Sequence, residues 1–397
     1  MRSALPSLLL AAACGASRPA VPAEGDAIVF QRILDGTLPA SDGLAQVAAS
    51  GGWPISTSAG WLFAIADNGN GPFQISSPSG AFAPVTMRTE SGVAWAIIPI
   101  AAPAGASYQL ATRSGATFYD PLSRVFRYDS ADQMSLVAAQ GAHLERFFGI
   151  GDAGVSPRTI RVWVPAQTPT HFLYAHDGQN LFGGYPRTYG GWFLQDGAGP
   201  TTLIVGIDNS AARFAEYTPV TDVIGGSTQG GDGAAYADFV ENTVRPFIEA
   251  RYGRPQRTGV IGSSLGGVIS YFQVLRHSQT WDFAASLSGT MGWGSIGPGV
   301  HNATIIDQFG ALSACPAAVF YLDSGGGPGA GCADSDDDGI RDDTPDASDN
   351  YCENAQLLEV MQAKGCDVHY TWASGAQHNE AAWRARAPAV VALFESL

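Results

Sequence analysis

TGVIGSSLGGVISYFQ, Thr258 to Gln273, reads as a short buried strand (Gly259-Val260-Ile261), a tight turn and an apolar helix. The turn is Gly262-Ser263-Ser264-Leu265-Gly266, a Gly-x-Ser-x-Gly pentapeptide. A sharp strand-to-helix turn strains the backbone at Ser264 and projects its hydroxyl outward. Glycines at 262 and 266 are expected to let neighbouring backbone pass where a Cβ would clash. The helix start beneath Ser264 supplies free N–H groups and the positive end of a dipole, which suits a developing oxyanion. With 49 glycines in 397 residues the pentapeptide alone is a weak signal, so its surroundings must carry the reading.

Those surroundings alternate strand and helix. Upstream, Thr159–Val164, His171–His176 and Thr202–Ile207 read as strands, and YADFVENTVRPFIEARY (Tyr236–Tyr252) as an amphipathic helix with apolar residues at 236, 239, 240, 244, 247 and 248. Downstream come strands Phe283–Leu287 and Ala317–Asp323, a helix from about Glu353, a strand Val368–Ala373 and a closing helix. The pattern predicts an α/β domain over 140–397, a mostly parallel sheet covered by helices. His378 follows the last predicted strand in a Gly375-Ala-Gln-His loop, where a base serving Ser264 would arrive. The other histidines lie within strands or helices or lack such a setting.

Before residue 140 the pattern differs. Between Ala27 and about Asp132 short strands (WLFAIAD, PFQIS, VTMRT, VAWAIIPI, SYQLAT, VFRYD) are broken by Gly, Pro, Asn and Ser, and a β-sandwich over 27–135 is expected. Ser107–Ser130, with its Asp120-Pro121 turn, resembles the end of immunoglobulin-like modules that precede some esterases and starch-branching enzymes. Trp53, Trp61, Trp95 and Tyr119 read either as core and interdomain packing or as a surface for sugars.

The formal charge is −15, which argues against nucleic acid as a partner, because phosphate binding needs excess Lys and Arg. Eight aspartates and one arginine fall between Gly331 and Asn350. The opening MRSALPSLLLAAACGAS resembles an export signal, followed by a Pro- and Ala-rich tether to residue 26. Cys14 after three alanines resembles a lipoprotein processing site, with plain signal cleavage as the alternative. The expected location is therefore exported, at the cell surface, periplasmic or secreted. No later stretch is apolar and long enough to span a bilayer. Cys315, Cys332, Cys352 and Cys366 remain, an even number that suggests two disulfides. Three pairings exist. Cys332 and Cys352 bracket the acidic loop while Cys315 and Cys366 start predicted strands, which favours 332–352 and 315–366.

RVWVP…FLYAHDGQNLF, LIVGIDN…R…EYTP, VRPFIEARYG…VIGSSLGG and GAQHNEAAW, in that order, resemble the putative-esterase family, over about 140–397. That family includes enterochelin esterases, one class of feruloyl esterases, S-formylglutathione hydrolases and mycolyltransferases. The resemblance implies an α/β-hydrolase fold, Ser264 as nucleophile and His378 as general base. It implies an oxyanion hole from the backbone of Leu265 and of Gln179, after His176-Asp177-Gly178. The expected reaction is hydrolysis of a small-molecule or glycan-linked carboxylic ester through an acyl-enzyme, with no catalytic cofactor. Acyl transfer to a sugar, or an inactive surface carbohydrate-binding protein, are the alternatives.

The chain departs from this family at the acid. Members carry Asp or Glu three residues after the glycine ending the strand before the last, and Pro328 stands there. Asp349, at the start of the helix returning to the last strand, is the first candidate, followed by Asp323 and Glu353. The insertion, 328–350, has its own pattern. Asp334-Ser-Asp336-Asp-Asp338-Gly339-Ile340-Arg-Asp342 places carboxylates at alternate positions with a turn glycine sixth, as hard cations require. It resembles thrombospondin type 3 repeats and the first half of an EF-hand loop. The twelfth position is Pro345, so an EF-hand proper is not expected; a structural calcium on Asp334, Asp336, Asp338, Ile340 and Asp342 is.

Overall fold

The structure is a computed structural model that describes residues 20–129, 133–184, 190–343 and 349–397. The export-signal segment with Cys14 and the position of Pro345 lie outside the described residues.

The central strands of the sheet that carries the site are hydrophobic and buried on both faces, whereas its edge strand Asp367–Trp372 is largely exposed. The strand order from that edge is Asp367–Trp372, Val319–Ser324, Phe283–Leu287, Arg257–Ser263, His171–His176 and Thr202–Ile207, all parallel. Arg158–Val164 and His143–Ile150 then continue it antiparallel. Alternate side chains serve opposite layers. Tyr174 and Val260 pack with the elbow helix Leu265–Arg276 through Val268, Ile269 and Val274. Leu173 and Ile261 pack on the other face with the closing helix Glu380–Glu395 through Val390, Val391 and Phe394. The carboxyl ends of the strands share one rim, the usual place for a site in such a sheet.

The expected helix over 236–252 forms, but not as one regular piece. Gly233–Phe239 and Arg245–Tyr252 are α-helical, and a π-turn over Val240–Val244 joins them. Pro246 lacks an N–H to donate back along the helix, and a wider turn before it relieves the ring's clash with the preceding carbonyls.

The N-terminal region departs further from expectation. Ala27–Leu34 and Ala40–Ala49 are helices, where only short strands were expected. Ala27, Phe30, Ile33 and Leu34 recur on one face and pack with Leu44 and Val47 against Leu62, Ala64, Val93 and Trp95. The opposite side of those same strands, through Phe63, Ala94, Ala96 and Ile98, faces Ile75, Tyr108 and Leu110 of a second sheet. Two sheets therefore share an apolar layer, with helices over the outer face. Trp53 and Trp95 are buried against Phe30 and are packing residues, not a sugar platform. The second sheet is not separate either: Val125–Tyr128 pairs with His143–Ile150, so it runs into the central one.

Both disulfides join as spacing favoured, Cys315 to Cys366 and Cys332 to Cys352. No helix among the described residues is long and apolar enough to cross a membrane.

Candidate active site

Ser264 sits between strand and helix at φ 55°, ψ −125°, a conformation that costs a non-glycine residue about 1–3 kcal/mol. Its N–H donates to the Leu287 carbonyl at 3.1 Å, tying the turn to the next strand. Gly262 is required as expected, because a Cβ there would overlap the Gly266 backbone. Gly266 itself is not: a Cβ on it would meet nothing nearer than 3.5 Å. The second bare position is Gly267, where a Cβ would run into Ser286 Oγ. Leu265 opens the helix, so its N–H has no intrahelical acceptor.

The neighbouring strand end builds the facing wall. Asp177 turns the chain at φ 58°, and a Cβ on Gly178 would lie 2.6 Å from the Gly206 carbonyl carbon. Arg213 donates to both Asp177 oxygens at 2.8 and 2.9 Å, and Asn209 donates to Oδ1 at 2.5 Å. The Asp177 N–H donates to the Tyr217 hydroxyl at 3.1 Å. Gln179 follows in a single helical turn, its side-chain oxygen accepting the Asn209 N–H at 3.1 Å. The spaced Asn209, Arg213 and Tyr217 are thus the clamps of the Asp177-Gly178 turn. Beneath it His176 is buried, which drops its pKa to about 3 and keeps the ring neutral.

His378 Nδ1 lies 2.7 Å from Asp349 Oδ1. The Asp349 side chain is 0 % exposed and that of His378 35 %, so the pair runs from the interior to the cleft. The indole of Trp383 stands edge-on to the imidazole, 4.9 Å between centroids. Asp349 Oδ2 accepts the Ser288 hydroxyl at 2.6 Å and also the Gly325 N–H. Neither Asp323 nor Glu353 is among the hydrogen-bond partners of His378. Asp323 takes two bonds from Arg386, at 2.9 and 3.1 Å, and burial pushes its pKa up to about 6. Glu353 accepts the Gly292 N–H, and burial pushes its pKa well above the usual range.

Ser264, His378, Gln179, Arg213 and Trp192 line one cavity of about 410 Å³. Glu380 also borders it, with a pKa raised chiefly by burial.

The acidic insertion gathers part of its expected ligand set. Carboxylate oxygens of Asp334, Asp336 and Asp338 lie within 4.8 Å of one another. Asp342 and Ile340 are outside that group: Asp342 accepts the Ser335 N–H at 2.8 Å, and the buried Ile340 donates its N–H to Asp338 Oδ1 at 2.8 Å. Gly339, at φ 95°, makes the turn.

Sequence reasoning missed Ser288, Trp383 and Arg386. A signal existed for the last two: residues 383, 386, 387, 390, 391 and 394 form the buried stripe of the closing helix, and an arginine on such a stripe demands a buried carboxylate. Ser288 carried none.

A serine at a strand-to-helix elbow, a histidine–carboxylate pair facing it and this strand order define an α/β-hydrolase. Residues 155–394 match the family described as "Putative esterase", and the chain belongs to it. It is 30 % identical over 141 residues to the uncharacterized protein YbbA of Bacillus subtilis, covering 34 % of this chain and 55 % of that protein. It is 28 % identical over 177 residues to a siderophore triacetylfusarinine C esterase of Aspergillus fumigatus, covering 38 % and 57 %. The chain thus spans little more than half the length of these curated relatives. Among solved structures it is similar to the enterobactin esterase FES of Shigella flexneri, at 13 % identity and TM-score 0.48, over 85 % of this chain and 93 % of that one.

Proposed function

We propose that the protein is a serine esterase that hydrolyses a carboxylic ester through an acyl-enzyme on Ser264. The observation that carries this reading is the 2.7 Å bond from His378 to the fully buried Asp349, with His378 and Ser264 lining the same cavity. With Nδ1 engaged by Asp349, Nε2 is left for the serine. It takes the Ser264 proton as Oγ attacks the ester carbonyl, and the backbone N–H groups of Leu265 and Gln179 hold the oxyanion. Collapse expels the alcohol, which receives the proton from His378. Water then attacks the acyl-enzyme with the same base, and Ser264 is regenerated with its proton. No step needs a cofactor.

Small-molecule esters are the substrate class this reading favours, and siderophore-type esters come first because of the Aspergillus fumigatus relative. Three further proposals rest on other observations. The three clustered carboxylates of Asp334, Asp336 and Asp338 are a hard-oxygen set that fits calcium, which would serve folding, not chemistry. Two disulfides suit an oxidising compartment, so the protein is read as exported, through the segment around Cys14. The N-terminal sheets, which share an apolar layer, are read as an accessory module of immunoglobulin-like type. The deciding experiment is fluorophosphonate labelling with peptide mapping, alongside a screen of p-nitrophenyl, feruloyl and siderophore esters. Label on Ser264 with turnover supports the reading; a native protein that neither labels nor turns over any ester sinks it.

A further inference from the structure

Behind the His378–Asp349 pair lies a buried polar cluster with no place in the steps above. Ser288 directly follows the Phe283–Leu287 strand and is fully buried at φ 50°. Its hydroxyl is contacted by three groups: Asp349 Oδ2 at 2.6 Å, Arg386 Nη2 at 2.7 Å and the Trp383 indole nitrogen at 3.3 Å. Arginine and indole can only donate. They occupy the acceptor side of Ser288 Oγ, so its single proton points at Asp349. Arg386 Nη2 lies 3.8 Å from Asp349 Oδ2, and its charge is balanced by Asp323. The Ser288 N–H donates to Asp323 Oδ1 at 2.9 Å, closing the cluster.

We propose that Ser288 and Arg386 are positioning residues for the catalytic pair, orienting and holding the Asp349 carboxylate so that Oδ1 meets His378 Nδ1. This rests on the reading of Ser264 as nucleophile. It explains how an acid displaced from the family's strand-end position is held. The chain reaches Asp349 from a loop, but the carboxylate is gripped by the ends of two strands, at Ser288 and Gly325, and by the closing helix. The same helix carries Trp383 against the imidazole and Arg386 three residues on, so one element contacts both members of the pair.

The test uses the full chain and a p-nitrophenyl ester, with rates divided by the concentration of Ser264 titrated by fluorophosphonate. Failure of the native protein to label or turn over would sink the esterase reading itself; the variants speak only to the positioning role. Ser288→Ala removes one oxygen, and loss of a hydrogen bond to a charged group lowers kcat per titrated site about 10- to 100-fold. KM should stay within about twofold, because nothing in the cavity changes. A carboxylate deprived of one donor holds the imidazolium more tightly, so the acid limb of kcat/KM moves to higher pH. The other charged groups around the pair, Glu380 beside His378 and Arg386, Asp323 and Asp343 around Asp349, are intact in this variant. The shift therefore belongs to the deleted hydroxyl.

Arg386→Met leaves Asp323 buried without its cation and so risks misfolding. Arg386→Lys keeps the charge and is expected to retain about tenfold more turnover per site than Arg386→Met where both fold. A purely structural cluster would lower the melting temperature and the titrated fraction while leaving kcat per site and the acid limb unchanged. That result for Ser288→Ala overturns the proposal, whatever the Arg386 variants do.

Discussion

Ser264 and Ser288 occupy the same kind of place in the fold. Each directly follows a parallel strand, Arg257–Ser263 or its neighbour Phe283–Leu287, and each sits at positive φ, 55° and 50°. Their surroundings differ. Ser264 opens a helix at the wall of the cavity, whereas Ser288 is fully buried under Trp383 and Arg386. One hydroxyl is left facing the cleft; the other has every hydrogen-bonding position filled. The strained turn, which both possess, therefore does not by itself distinguish the proposed nucleophile; what differs is that Ser264 borders a cavity it shares with His378. His378 borders the same cavity as Ser264, and Asp349, bonded to His378 through Oδ1, accepts the Ser288 hydroxyl through Oδ2.

The comparison breaks most sharply at Ser264→Ala. Ester hydrolysis should fall by several orders of magnitude and fluorophosphonate labelling should vanish, while the melting temperature stays nearly unchanged, because alanine keeps the same backbone conformation. Ser263→Ala, one residue earlier and buried, should be mild; equal losses at 263 and 264 would show that the nucleophile is misassigned.

Asp349→Asn comes next, with turnover expected to drop about 10²–10⁴-fold, because an amide cannot orient the imidazole in the right tautomer. Asp323→Asn should cost less. An active Asp349→Asn protein beside an inactive Asp323→Asn one would move the acid back to the strand end. Asp323 also gives a pH signature. Its folded value, pushed up to about 6, lies above its ordinary 3.8, so the folded state binds the extra proton between those values. Its ionisation costs stability as pH rises from about 4 to 6, and the cost is constant above that. Melting curves should lose that slope in Asp323→Asn; an unchanged slope would mean that other groups produce it.

The smallest effect belongs to the insertion. Asp334 and Asp338 also accept N–H bonds that fold their own turn, whereas Asp336 has no such duty among the hydrogen bonds described. Asp336→Ala should therefore report on the cation alone. Chelator should lower the melting temperature of the native protein and leave Asp336→Ala nearly unaffected. Equal responses, or none in the native protein, would remove calcium from the loop.

Local chemistry made the elbow, the Asp177-Gly178 turn and the His378 loop legible, because each is specified by residues adjacent in sequence. The strands of the parallel sheet were legible for the same reason: His171–His176 and Thr202–Ile207 are apolar runs bounded by turn residues. Asp349 could be named from its place before a helix, yet only the fold shows what holds it, since Ser288 and Arg386 lie 61 and at most 98 positions from their partners. The helices at 27–34 and 40–49 were hidden by brevity. Each offers only two or three turns, flanked by Gly and Pro, in a region otherwise dense with strand signals. Gly266 was misread because a motif glycine can be the surface approached, with no approach of its own to make.

The bond from Gly325 to Asp349 joins residues 24 positions apart. The chain leaves the sheet at Gly325 and comes back to the same point, so Asp349 stands in space where a strand-end residue would stand. Everything between is a detour whose ends are already pinned. Lengthening a pinned detour is cheap, about 0.6 kcal/mol for each doubling of a flexible loop. The stretch after Gly325 is thus a port at which a lineage, or an engineer, could splice in a loop or a whole recognition domain without moving Asp349 from its place beside His378.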